Sequence, residues 1–162
     1  MLKKITAFAM SVCMAFSLAA CGNNDAEKMG DYLTGKDCES TAGIRMELED
    51  DGNFKFFRSK DDTEDNYYSG TFVVRSGQEA IDFLEETYQL PEESQRTAMQ
   101  SFSVDEKNYY ALTLTNKECI EGGVNTLAQD NDVTYYGYYD ADYEYLNLYS
   151  LKTMTQYEFY KK

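Results

Sequence analysis

Tyr135-Tyr136-Gly137-Tyr138-Tyr139 is the densest group of side chains able to hold another molecule. On a strand, alternate residues face opposite ways. Tyr135 and Tyr139 then share one face, and Tyr136 and Tyr138 the other. One face is expected to build core. The other makes Tyr136 and Tyr138 a candidate platform for a sugar or an apolar ligand, with Gly137 leaving a gap or allowing close backbone approach. The same pattern also fits a sheet packed by cross-strand tyrosine pairs.

Catalytic chemistry is thinly provided for. None of the 162 residues is histidine. That removes Ser-His-Asp and Cys-His nucleophiles, the usual zinc, copper and haem ligands, and the ordinary titrating switch near neutral pH. A pair of carboxylates remains as the general route, yet among 29 Asp and Glu residues no acid is marked out by apolar neighbours on both sides. Asp140-Ala141-Asp142-Tyr143-Glu144 spaces acids as a calcium loop does, but Tyr145 stands where such a loop needs a glycine, so it reads as a hairpin turn. Asp61 to Asp65 reads as a solvated loop. No catalytic residue, metal ligand or cofactor is assigned.

The N-terminus carries a different chemistry. Lys3 and Lys4 precede an uncharged, largely apolar run from Ile5 to Ala20, which closes on Leu18-Ala19-Ala20-Cys21. The run falls short of the roughly 20 apolar residues that span a bilayer. These residues resemble a bacterial lipoprotein signal peptide with its lipobox. The resemblance implies cleavage between Ala20 and Cys21 and a thioether-linked diacylglyceryl group on Cys21. It makes residues 1–20 a signal peptide and residues 21–29 a lipidated cysteine with a polar tether, leaving 30–162 as one domain at the extracytoplasmic face of the cell membrane. Two acyl chains anchor stably where one gives marginal binding. Cys13 leaves with the leader. Cys38 and Cys119 remain, either as a disulfide or as two buried thiols.

With 15 basic against 29 acidic residues the net charge is −14, and loss of Lys3 and Lys4 makes it more negative. Nucleic-acid binding needs a basic face, and none is visible. Anionic headgroups repel such a domain, so it is expected to be tethered to the membrane without lying on it.

The elements that must position these groups are read from periodicity. Ile44, Met46 and Leu48 alternate with charged residues, Glu49 to Asn53 makes a hairpin turn, and Phe54 and Phe56 lead to Arg58. Tyr68, Gly70, Phe72 and Val74 alternate in a third strand. Ser76 with Glu79 fits a capping box. Ala80, Ile81, Leu84 and Tyr88 then share a helical face, and Pro91 opens a second helix with Ala98 and Met99 inward. Strands resume over Tyr109–Thr115, Val124–Leu127, Val133–Tyr139, Tyr145–Tyr149 and Thr155–Tyr160.

Gly30-Asp31-Tyr32-Leu33-Thr34-Gly35, the Asp-Gly turn after an apolar strand, the Gly70-Thr71-Phe72 strand and the closing aromatic strands resemble small lipocalin-like domains. The expected fold is mainly β: a small antiparallel lipocalin-like barrel or strongly curved sheet of roughly seven to nine strands with a two-helix insert at about 78–101. A helix pair capping one open end is expected, and the alternative is an α+β domain with helices on one sheet face. The expected function is a non-enzymatic binding or interaction module for a small ligand or an envelope protein. The alternatives are a carboxylate-based hydrolase acting on envelope glycans, and a structural or inhibitory partner without a small ligand.

Overall fold

Nine strands form one antiparallel sheet, curled into a half-barrel. The computed structural model describes residues 38–40, 43–49, 51–140 and 142–161. Ala20, Cys21, the leader and the tether lie outside them. The strands are β1 (Cys38–Ser40), β2 (Arg45–Leu48), β3 (Asn53–Phe57), β4 (Asn66–Ser76), β5 (Tyr109–Glu121), β6 (Val124–Asn125), β7 (Asn131–Asp140), β8 (Tyr145–Ser150) and β9 (Gln156–Lys161). Helices α1 (Gly77–Tyr88) and α2 (Glu92–Ser101) and a single 3-10 turn (Glu106–Asn108) connect β4 to β5. The sheet order is β1-β9-β8-β7-β5-β4-β3-β2, with β6 paired to β5. No pairing joins β1 to β2 among the described residues, so the curved-sheet form of the expectation holds and the closed barrel does not.

Alternation explains the two faces. Met46, Phe54, Tyr110, Leu112, Leu114, Tyr135, Leu146, Leu148 and Phe159 form one buried cluster drawn from strands at both rims of the sheet. Such distant strands meet only across the face into which the sheet curls. Each fully buried Leu, Met or Phe there contributes about 1.5–3 kcal/mol. The other face of β5 and β7 is also covered: Tyr109, Ala111 and Tyr138 pack against Ala80, Ile81 and Leu84 of α1 and Met99 of α2. The helix pair therefore lies on a sheet face rather than plugging an open end, because the middle strands carry apolar residues on both sides.

Two glycines permit the curl. A Cβ at Gly70 would stand 1.9 Å from the Thr115 carbonyl oxygen, and one at Gly137 1.8 Å from that of Asn147. Only a residue without a side chain lets the neighbouring backbone come so near. Gly137 thus serves close backbone approach. A third glycine makes the strand-to-helix corner. Ser76 stands at the N-cap in extended conformation but makes no side-chain capping bond, and Gly77 turns the chain with φ +57°. Arg96 holds the helical unit together, bonding Glu92 at 2.6 Å and Glu106 at 2.8 Å.

The inward face of α2 differs from expectation. Met99 is buried but Ala98 is exposed, and Gln95 is buried instead. Its Nε2 donates to the carbonyls of Ile81 (3.1 Å) and Leu90 (2.8 Å), replacing solvent for an amide that α1 would otherwise bury without partners.

Candidate ligand cavities on the two faces of the sheet

Two cavities lie on opposite faces of the strands that bear the tyrosine run. The larger, about 460 Å³, opens at one end of the half-barrel, on its concave face. That is within the range of small-molecule pockets. Phe56, Leu114, Val133, Tyr135 and Tyr157 give it an apolar wall. Polar groups gather at one side: Asn116 and Ser150 are buried, and Asn116 Nδ2 donates to Asn131 Oδ1 at 2.9 Å. Arg58 and Lys152 are the two cations of its lining.

A bulge positions these residues. Gly70 pairs with Asn116 and Ser69 with Glu118, so Lys117 is an extra residue in β5. The insertion reverses the alternation beyond it. Cys119, opposite Tyr68, therefore faces inward with Leu114 and Asn116. Glu118 is turned outward to accept a hydrogen bond from Ser69 Oγ at 2.7 Å. The bulge keeps a carboxylate out of the cavity and brings a thiol in. A hydrogen bond with Cys119 holds the Tyr68 phenol above its usual titration range, and burial adds to this. The Arg58 guanidinium lies 5.3 Å from the Tyr68 ring centre and pairs with Glu121 at 3.1 Å. Lys152 makes no ion pair among the described residues.

Cys119 carries a free, buried thiol, and the side chain of Cys38 lies outside the described residues. Three strands, β9, β8 and β7, separate β1 from β5, which is about 19 Å along the sheet at ordinary strand spacing. A disulfide needs Cα atoms within about 7 Å.

The smaller cavity, about 250 Å³, lies between α2 and the helix-covered face of β7 and β8. Tyr136 and Tyr138, the candidate platform, both line it, as do Tyr109 and Tyr149. The rings are not open to solvent as a flat surface. Phe102 stacks on Tyr138 at 5.3 Å between ring centres, and Tyr149 stacks on Tyr136 at 5.5 Å. Asn147 Nδ2 donates to the Tyr138 hydroxyl at 3.3 Å. Burial raises the titration of Tyr109, Tyr136 and Tyr138 above the usual tyrosine value.

No Asp or Glu lines either cavity, so neither assembles the carboxylate pair of the hydrolase alternative. The acidic turn at Asp140 has a structural use: its Oδ1 accepts from the N–H groups of Asp142 (3.0 Å) and Tyr143 (3.1 Å). Sequence reasoning missed Arg58, Lys152, Asn116 and Gln95 as lining residues. Asn116 had a signal, a polar residue continuing the inward series Tyr110, Leu112, Leu114. Lys152 had none, since it comes from the turn between β8 and β9. The chain matches no protein-family model, and searches of curated proteins and of solved structures find no match to it.

Proposed function

We propose that this chain is a lipid-anchored extracytoplasmic binding module whose half-barrel takes a small ligand with an apolar body and an anionic end. The observation that carries the reading is the concave cavity of about 460 Å³, with an apolar wall and two cations, Arg58 and Lys152, in its lining. In a chain of net charge −14, a cavity whose only charged lining residues are cations favours an anion over a cation. A cation beside an apolar surface favours an amphiphilic anion over a bare ion, because the apolar part adds burial to the charge-assisted contact. Cys21 supplies the anchor in this reading, through the lipobox resemblance. Among the described residues no helix is long and apolar enough to cross a membrane.

The test uses the full chain in lipid nanodiscs, screened by thermal shift against anionic and neutral envelope metabolites. The expected hit is an anionic amphiphile. Replacing Arg58 and Lys152 together by glutamine weakens its binding about tenfold or more, while a neutral analogue is unaffected. Hits indifferent to both substitutions, or no hit at all, overturn the ligand reading. The anchor is checked separately: labelled palmitate enters the wild-type protein in cells but not Cys21→Ser, and equal labelling of both overturns it.

A further inference from the structure

We infer that the ligand of the concave cavity carries one anionic end only, and that Lys152 receives this end while Arg58 does not. The inference rests on the ligand reading proposed above. It adds which cation binds, which way round the ligand lies and which class of ligand is refused.

The two cations of the lining differ in what already occupies them. The Arg58 guanidinium donates to Glu121 Oε1 at 3.1 Å and lies 5.3 Å from the Tyr68 ring centre. A ligand anion that reaches Arg58 replaces one carboxylate by another. The displaced Glu121 then stays nearby as a like charge, so little affinity is gained. Lys152 makes no ion pair among the described residues. Its contact with an anion is added rather than exchanged, and such charge-assisted hydrogen bonds are the strong ones.

The backbone on either side of Lys152 is braced. Leu151 N–H donates to the Thr134 carbonyl at 3.0 Å, Thr153 N–H to Ser150 Oγ at 3.3 Å and Met154 N–H to the Ser150 carbonyl at 2.8 Å. The turn between β8 and β9 therefore holds its shape before a ligand arrives, which lowers the cost of ordering it on binding.

The lining orders the ligand. Lys152 comes from a turn and is exposed, so the anionic end lies outermost. The apolar body lies against Phe56, Leu114, Val133 and Tyr135, a wall that carries no cation. A second anion at the far end would be desolvated there without a partner. A molecule with a carboxylate at each end is refused on that ground.

Octanoate, octanol and octanedioate are the probes, with one charged end, none and two. They are titrated calorimetrically into the full chain in phosphatidylcholine nanodiscs, with empty nanodiscs as the reference. Octanoate binds saturably and octanedioate more weakly. Lys152→Gln weakens octanoate about tenfold, the loss of one hydrogen bond to a charged group, and leaves octanol unchanged; Lys152→Arg keeps the octanoate affinity. Arg58→Gln changes octanoate binding by no more than about threefold, the scale of an exposed ion pair. A loss of about tenfold in Arg58→Gln overturns the assignment to Lys152 and leaves the ligand reading standing. So does a Lys152→Gln loss that octanol shares equally. Octanedioate bound as tightly as octanoate overturns the single anionic end. Absence of saturable octanoate binding to the wild type overturns the ligand reading, and this inference with it.

Discussion

Replacing Gly137 by alanine tests the account of the curl directly. The added Cβ would lie 1.8 Å from the Asn147 oxygen, 2.8 Å from its carbonyl carbon and 3.0 Å from the Leu148 Cα. All three are backbone atoms, so no side chain can swing aside. An ordinary carbon–oxygen contact is about 3.3 Å, so β7 and β8 must part by about 1.5 Å. That movement strains the packing by about 1–3 kcal/mol and breaks one or two ladder hydrogen bonds at about 1 kcal/mol each. The sum, about 2–5 kcal/mol, is a large part of the 5–15 kcal/mol that typically holds a domain. Urea unfolding followed by far-UV circular dichroism reads it. At an m-value of about 1.5 kcal/mol/M, a loss of 3 kcal/mol moves the midpoint down by about 2 M. Gly52→Ala is the comparison. Gly52 has φ +84° with open space where a Cβ would go, so only the left-handed backbone is strained, at about 1–2 kcal/mol. At an ordinary strand position the same exchange stabilises by about 0.4–1 kcal/mol through the unfolded chain. The reasoning is refuted if Gly137→Ala is as stable as the wild type, or loses no more than Gly52→Ala.

Burial raises the phenols of Tyr109, Tyr135 and Tyr138 above the ordinary value in the folded state. An unfolded tyrosine titrates near 10, so this contribution is fully present below about pH 10 and is lost above it, by about 1.4 kcal/mol per pH unit for each phenol. Alkaline unfolding should coincide with the last step of phenolate absorbance among the 15 tyrosines, and complete phenolate formation in a still folded protein would contradict it. The Cys119 thiol should resist alkylation in the native protein and label on denaturation without reductant; a requirement for reductant would show that it is bridged after all. Tyr88→Phe removes a 2.7 Å hydrogen bond to Thr134 Oγ1 and should lower stability by about 1 kcal/mol, with an unchanged urea midpoint as the contrary result.

Period-two alternation made β2, β4, β7 and β8 legible, and the alternating Met46, Leu146 and Leu148 lie in the core. The helical insert was legible from Ser76 and Pro91. The signal failed where a single backbone event intervened. Lys117 inserts one residue into β5, so the expected strand end at Thr115 gave way to a strand that continues to Glu121 with reversed parity. Val124 to Leu127 contracted to two residues, Val124 and Asn125, as Leu127 turned to line the concave cavity. Ala98 was chosen over Gln95 because apolar residues are the default for burial. The amide won its place by bonding two carbonyls that only the folded chain brings together. Tyr136 and Tyr138 were correctly grouped on one face, but their cover, Phe102 and Tyr149, comes from elements whose pairing the alternation does not encode.

The sheet opens at two rims, β1 and β2, while Tyr109, Tyr110, Ala111 and Leu112 in the middle of the order are buried from both sides. Unzipping therefore begins at the margins and stalls at β5, and amide deuterium exchange should slow inward from each margin. The two rim regions supply Ile44, Phe56 and Tyr157 to the concave cavity, whereas Leu114, Val133 and Tyr135 come from the slow-exchanging centre. Fraying of the flanks would then loosen one wall of the cavity before its centre gives way.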